Sequence, residues 1–151
     1  MELERTFIML KPDAVQRGLI GDIISRLERC GLKLIAMKFM HISNELAKKH
    51  YAEHESKAFY NKLVSYITSG PVVPMVWEGA NAIEYARKLL GATDPQKSAP
   101  GTIRADYGQE IGRNIIHGSD STTSAEREIK LFFTESEFLN YTKIDENWVH
   151  E

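Results

Sequence analysis

Short apolar runs and segments of helical spacing take turns along this chain, and no other feature restricts its fold as much. Thr6 to Lys11 (TFIMLK) predicts a strand, stopped by Pro12, which has no N–H for a ladder. Ile20, Ile23, Ile24 and Leu27 fall on one helical face, and Gly31 sits where a C-terminal cap belongs. Leu34 to His41 alternates, with Ile35, Met37 and Phe39 on one side, as a half-buried strand does. Ser43 is placed to cap a helix running through Lys48 and His54, and a second helical piece spans Phe59 to Ile67. Val72 to Trp77 predicts another strand, with Pro74 pointing to an edge or a bulge. Ala80 to Leu90 predicts a helix with Gly91 as its stop. Asn114 to His117 predicts the last strand. Thr123-Ser-Ala-Glu126 and Thr134-Glu-Ser-Glu137 have the form of capping boxes. The order β-α-β-α-α-β-α-loop-β-α predicts an α+β fold of the split βαβ, ferredoxin-like kind: a four-stranded antiparallel sheet covered by helices.

The 151 residues suit a single domain spanning 1–151, with a sizeable core. A net charge of −2 gives no sign of nucleic acid or an acidic membrane surface as partner. Cys30 is the only cysteine, so an internal disulfide or a cysteine-based metal site is excluded and a reducing, cytoplasmic setting is expected. No stretch approaches the roughly 18 apolar residues of a membrane span, and MELERTFIMLKPD lacks the long apolar region of a signal peptide. Residues 91 to 113 carry two prolines and four glycines without a period, and a loop of that length in a compact domain is usually functional or disordered.

Neither G-x-x-x-x-G-K-[ST] nor G-x-G-x-x-G occurs, so any bound nucleotide is held by side chains rather than by a glycine-rich backbone nest. His50-Tyr-Ala-Glu-His54 matches the H-x-x-E-H zinc-peptidase pattern, but its setting, AKKHYAEHESK, reads as a polar surface helix with two solvated histidines.

NIIHGSDS, from Asn114 to Ser121, ends a short apolar run on an imidazole. Two readings stand side by side: His117 packs at a strand end, or it is presented as a nucleophile. An unperturbed imidazole is mostly neutral at pH 7 and attacks phosphorus if an acceptor holds its other nitrogen. Asp120, Glu126 and Glu128 are acceptors close in sequence, and Ser119 can orient a carboxylate or the ring. Gly118 is expected to leave room beside the ring for a bulky substrate. Between Arg87 and His117, five basic residues (Arg87, Lys88, Lys97, Arg104, Arg113) face three acids, a local surplus that suits phosphate.

KPDAVQRGLIG, SGPVVPMVWEG, PGTIRADYG and GRNIIHGSDS, in this order and spacing, resemble the nucleoside diphosphate kinases, and the last block contains that family's N-x-x-H-[GA]-S-D pattern. Ala14 departs from the glycine that many members have in this turn. The resemblance covers nearly the whole chain. It implies a ping-pong transfer of the terminal phosphate from a nucleoside triphosphate, mainly ATP, to a different nucleoside diphosphate through a phosphohistidine at His117. It makes Glu128 the carboxylate behind the ring and Ser119 its support, with Tyr51 and Lys11 near the transferred phosphate. Arg87, Thr93 and Arg104 become phosphate ligands, and Lys11 and Asn114 ribose contacts. Phe59 becomes the ring on which the base stacks, beside Leu63 and Ile111. It further implies Mg2+ bound through phosphates and water, with Asp120 as a candidate for its outer shell, and a homo-oligomer, usually a hexamer, into which the tail after Asn147 packs. A non-catalytic nucleotide-binding scaffold of the same fold is the alternative.

Overall fold

The computed structural model describes residues 2–151. Among the described residues there are five strands: β1 (Leu3–Leu10), β2 (Lys33–Met37), β3 (Met40–His41), β4 (Pro71–Ala80) and β5 (Ile116–Gly118). The helices are α1 (Pro12–Gln16), α2 (Ile20–Arg29), α3 (Asn44–His50), α4 (Tyr60–Ile67), α5 (Ala82–Leu90), α6 (Ile103–Tyr107), α7 (Thr122–Phe132) and α8 (Glu146–Val149). The strands lie in the order β2-β4-β1-β5, every pairing antiparallel, and β3 is a two-residue appendage on β4. The expected ferredoxin-like sheet is therefore present.

β1 organises both cores. Its side chains alternate, so Ile8 and Leu10 join Ile23 and Leu27 of α2 and Ala86 and Leu90 of α5. Phe7 and Met9 point the other way, to Ala47 of α3, Val64 and Ile67 of α4 and Phe132 of α7. Phe7 through Leu10 are all fully buried. Helices thus cover both faces, which is why β1 reads as a continuous apolar run rather than an alternating one.

Several expectations fail for local reasons. Leu34 to His41 is not one strand. The register against β4 shifts between Leu34 and Ala36, and past this bulge Met37 and Phe39 turn outward, 50% and 64% exposed, while Ile35 stays buried. Pro74 is not on an edge, because β4 lies between β1 and β2. Its carbonyl accepts from the Lys38 N–H on the β2 side. In extended chain the nitrogen of a residue points the same way as its carbonyl, so the missing donor falls in the gap where β2 ends and β3 begins, sparing the β1 ladder. The helix after β4 starts at Ala82 because Ala80 still pairs with Leu3 and Asn81 takes a left-handed φ of 49°. The patternless stretch 91–113 contains a 3-10 turn, Pro95–Lys97, and α6. The true cap of α7 is Ser121, whose Oγ accepts from the Ser124 N–H at 3.1 Å. At Thr134 the Glu137 carboxylate does reach back to the Thr134 N–H, at 2.8 Å, but the element it opens is a single 3-10 turn.

Candidate active site

β5 pairs with β1 over three residues and sets His117 opposite Met9, on the sheet face occupied by Phe7. α7 then brings Glu128 back over the strand. The His117 Nε2 lies 3.0 Å from both oxygens of the Glu128 carboxylate, and Ser119 Oγ–H donates to Glu128 Oε1. Burial alone would raise the Glu128 carboxyl. The hydrogen bonds from His117 and Ser119, and the positive charge His117 and His50 can carry, outweigh it and hold the group down at about 2. A carboxylate only accepts, so Nε2 carries the proton and a neutral ring leaves Nδ1 with its lone pair free. The His117 side chain is 24% exposed, enough for a ligand to reach it.

A second group of side chains stands on α5, α6 and the segments that end β1 and lead into β5. Lys11, at the end of β1, donates from Nζ to Asn114 Oδ1 at 2.7 Å, and Asn114 Nδ2 donates to the Thr93 carbonyl at 3.1 Å. Burial lowers the Lys11 ammonium to about 7, helped by the Arg104 charge and opposed by Asp13. Arg104, buried on α6, donates to the carbonyls of Asn114, Gly91 and Ile116. Burial and the neighbouring Arg87 lower it to about 10, which leaves it cationic at neutral pH. Arg87 donates to the Gly118 carbonyl at 3.0 Å. The arginines expected to grip phosphate are thus oriented by backbone carbonyls of the segments they join. Arg104 uses three of its five N–H groups in this way and keeps two.

The histidine pair of the zinc-peptidase pattern comes apart. α3 stops at His50, so His54, in the following 3-10 turn, is not on the same helical face. His50 is not solvated either. It is buried against Tyr51, Phe132 and His117, with ring centres 4.7, 5.5 and 4.9 Å away, and burial lowers it to about 3. Neither of its nitrogens has a hydrogen-bond partner among the described residues. The polar letters around it gave no sign of this, because it is docking on α7 that buries the last turn of α3. Arg127 ties that turn down by donating to the Lys49 and His50 carbonyls. The one described cluster with metal-ligand geometry is His50, His117 and Glu128. Two imidazoles and a carboxylate do not suit Mg2+, which takes oxygen donors.

The nucleoside diphosphate kinase family model matches residues 4–138. A nucleoside diphosphate kinase of Staphylococcus epidermidis is 62% identical over 149 residues, covering 99% of this chain and all of that protein. One from Archaeoglobus fulgidus is 60% identical over 149 residues, covering 99% of both. Among solved structures, a halophilic nucleoside diphosphate kinase from Halobacterium salinarum in complex with CDP superposes with a TM-score of 0.97 at 58% identity, over 99% of this chain and all of that one. The chain belongs to the nucleoside diphosphate kinase family. It is a nucleotide-binding phosphotransferase of that class.

The site residues nominated by resemblance to nucleoside diphosphate kinases are not equally close together. His117, Glu128 and Ser119 form one hydrogen-bonded unit, and Lys11, Asn114, Thr93 and Arg104 another. Tyr51 is buried beside His50, which raises its hydroxyl well above the usual range. Phe59 is 46% exposed and meets the His54 ring at 5.6 Å. Leu63 is half-buried against the Phe7 core, and Ile111 is exposed in the 108–113 segment. Asp120 is exposed and lines, with Glu4, Asn81, Glu84 and Arg87, a depression of about 480 Å³ that does not include His117. Gly118 does not make room for substrate. A Cβ there would lie 2.8 Å from Leu90 Cδ2, so the missing side chain serves the core.

Proposed function

We propose that the exchange runs through a phosphohistidine at His117. Nδ1 attacks the terminal phosphorus of a nucleoside triphosphate; the N–P bond forms, the P–O bond to the leaving diphosphate breaks, and the diphosphate departs. A second nucleoside diphosphate reverses these events through its own terminal oxygen. The observation that carries this reading is the Nε2–Glu128 bond, which leaves Nδ1 free on a ring that remains open to solvent. Glu128 also offsets the positive charge that the ring acquires as Nδ1 bonds to phosphorus, and Ser119 keeps the carboxylate turned toward it. Lys11, Arg87 and Arg104 supply cations to the phosphate oxygens, and Tyr51 stands beside His50 near the Glu128 carboxylate. Asn114 and Lys11 hold the ribose, the Thr93 segment lies against them, and Phe59, with Leu63 and Ile111, offers an exposed face to any base.

Mg2+ belongs to this reading as a cation carried in by the nucleotide. No described group of three oxygen-bearing acids offers a cage, while exposed Asp120, sharing a depression with Arg87, suits a water-mediated contact. When bound, the ion neutralises charge on the phosphate oxygens. The CDP held by the Halobacterium salinarum relative supports a diphosphate as the second substrate. Assembly into a homo-oligomer, a hexamer by family likeness, accords with the wholly exposed Ile144 and the 92% exposed Trp148 of the tail, and gel filtration measures it. Cytoplasmic residence accords with the single free thiol of Cys30.

Incubation with γ-labelled ATP and no acceptor tests the central step. An acid-labile, alkali-stable label is expected, chased off by added diphosphate and absent from His117→Ala. Full exchange activity in His117→Ala would overturn the assignment.

A further inference from the structure

The strand that carries His117 is entered through a distorted residue. Ile115 has a φ of +74°, in the left-handed region that a β-branched side chain avoids. The Ile116 N–H donates to the Asn114 carbonyl at 2.8 Å, so Ile115 is the centre of a three-residue turn of the rare, positive-φ form. The turn has a visible consequence. Successive side chains of a strand alternate faces, yet Ile115 and Ile116 both pack fully buried into the core containing Ile8 and Leu10. His117 then emerges on the opposite face, beside Phe7 and Glu128. Asn114, which holds Lys11, sits on the near side of the same turn. The turn therefore sets the relative placement of the two groups of site residues.

Arg104 binds the Asn114 and Ile116 carbonyls on either side of the turn, and two further bonds hold Ile115 itself. The Lys11 N–H donates to the Ile115 carbonyl at 2.8 Å. The Asp13 Oδ2 accepts from the Ile115 N–H at 3.0 Å. Asp13, the second residue of α1, is itself steadied through its other oxygen, which accepts from the Tyr66 hydroxyl. Tyr66 in turn lies under the Arg113 guanidinium, 4.7 Å from its ring centre. This carboxylate takes no part in the phosphate or ribose contacts proposed above.

We infer that Asp13 is a positioning residue for phosphoryl transfer, its carboxylate clamping the strained turn at Ile115 so that His117 meets Glu128 on one side and substrate on the other. Asp13 touches neither substrate nor the reacting atoms; it acts through the backbone of Ile115. The inference rests on His117 being the phosphorylated residue.

The test is a mutational cycle read in single-turnover labelling by γ-labelled ATP. Asp13→Ala is expected to slow label formation about 10- to 100-fold, the loss that small misplacements produce, with nucleotide affinity within about threefold of that of Asp13→Asn, which removes the same charge beside Lys11. Asp13→Asn, which keeps an acceptor for the Ile115 N–H, is expected to retain most of the rate. Glycine takes positive φ without strain, so in an Ile115→Gly background the same Asp13→Ala change is expected to cost less than about threefold. Nitrogen NMR of the His117 ring is expected to show altered Nε2 hydrogen bonding in Asp13→Ala. If Asp13→Ala or Ile115→Gly does not fold, Tyr66→Phe and Asp13→Asn carry the test: a slower rate in the first and near-normal rate in the second support the clamp, and the reverse overturns it. Label formation in folded Asp13→Ala at the unmodified rate overturns the clamp, as does an equal loss in the Ile115→Gly background. Absence of any label from the unmodified protein overturns the reading of His117 instead.

Discussion

Glu128→Gln isolates one contribution to the transfer. Glutamine has the shape of glutamate and its amide oxygen can still accept from the His117 Nε2–H and the Ser119 hydroxyl, so only the negative charge is lost. The carboxyl is held from 4.5 to about 2, and at about 1.4 kcal/mol per unit this corresponds to about 3 kcal/mol favouring the ionised form. The Ser119 bond accounts for part of it. A hydrogen bond to a charged group contributes about 1.5–3 kcal/mol, so loss of the charge beneath a ring turning cationic is expected to slow phosphorylation about 10- to 100-fold. Rapid-quench labelling by ATP reads that step apart from product release, and equilibrium binding of a diphosphate is expected to stay within about threefold. Stability supplies a second readout. The carboxyl is depressed in the folded protein, so its stabilisation is complete above about pH 4.5 and is lost as pH falls through about 2. The unfolding free energies of the two proteins are therefore expected to converge across that window. A rate loss under threefold, or a loss confined to nucleotide affinity, would refute the argument that the charge of Glu128 works on the ring.

The same geometry sets two further outcomes. Burial and Arg104 lower Lys11 to about 7 against the pull of Asp13, so near neutral pH part of the population carries a neutral amine; an arriving polyphosphate restores the charge. Nucleotide binding is expected to take up protons between about pH 7 and 9, measured by calorimetry in buffers of different ionisation enthalpy, and Lys11→Met is expected to abolish that uptake. Gly118→Ala drives a methyl to 2.8 Å from the buried Leu90 side chain and is expected to destabilise the fold by about 1–3 kcal/mol, measured by urea unfolding.

The most legible parts of the sequence were contiguous ones. GRNIIHGSDS holds Asn114, His117 and Ser119 within six residues, and Glu128 comes one helix later at a spacing a reader can count. Ile20, Ile23, Ile24 and Leu27 declared α2 because each meets the core through the same stripe. The hidden parts depend on contacts between distant segments. The bulge that turns Met37 and Phe39 outward leaves the alternation of letters intact. His50 lay in a polar string and is nevertheless buried, because α3 docks against α7 and the Phe7 face. Asp13 stands in KPDAV with no local sign of a role; its partners, Tyr66 and Ile115, are 53 and 102 residues away. α6 escaped because five residues are too few to display a period.

Because the Phe7–Leu10 half of β1 is covered on both sides, it has no wet face there to tell it which way to lie. Slipping it by one residue would trade Phe7 and Met9 for Ile8 and Leu10 without bringing any greasy surface into water. In that half, volume rejects the slip, an aromatic ring forced into a space shaped for a branched aliphatic chain and the converse opposite, while at the other end the Arg5–Glu78 pair and the Ile83 N–H on Glu4 hold the register. The accuracy with which Lys11 and the histidine opposite Met9 meet a nucleotide is in this sense a property of steric fit between two crowded interiors.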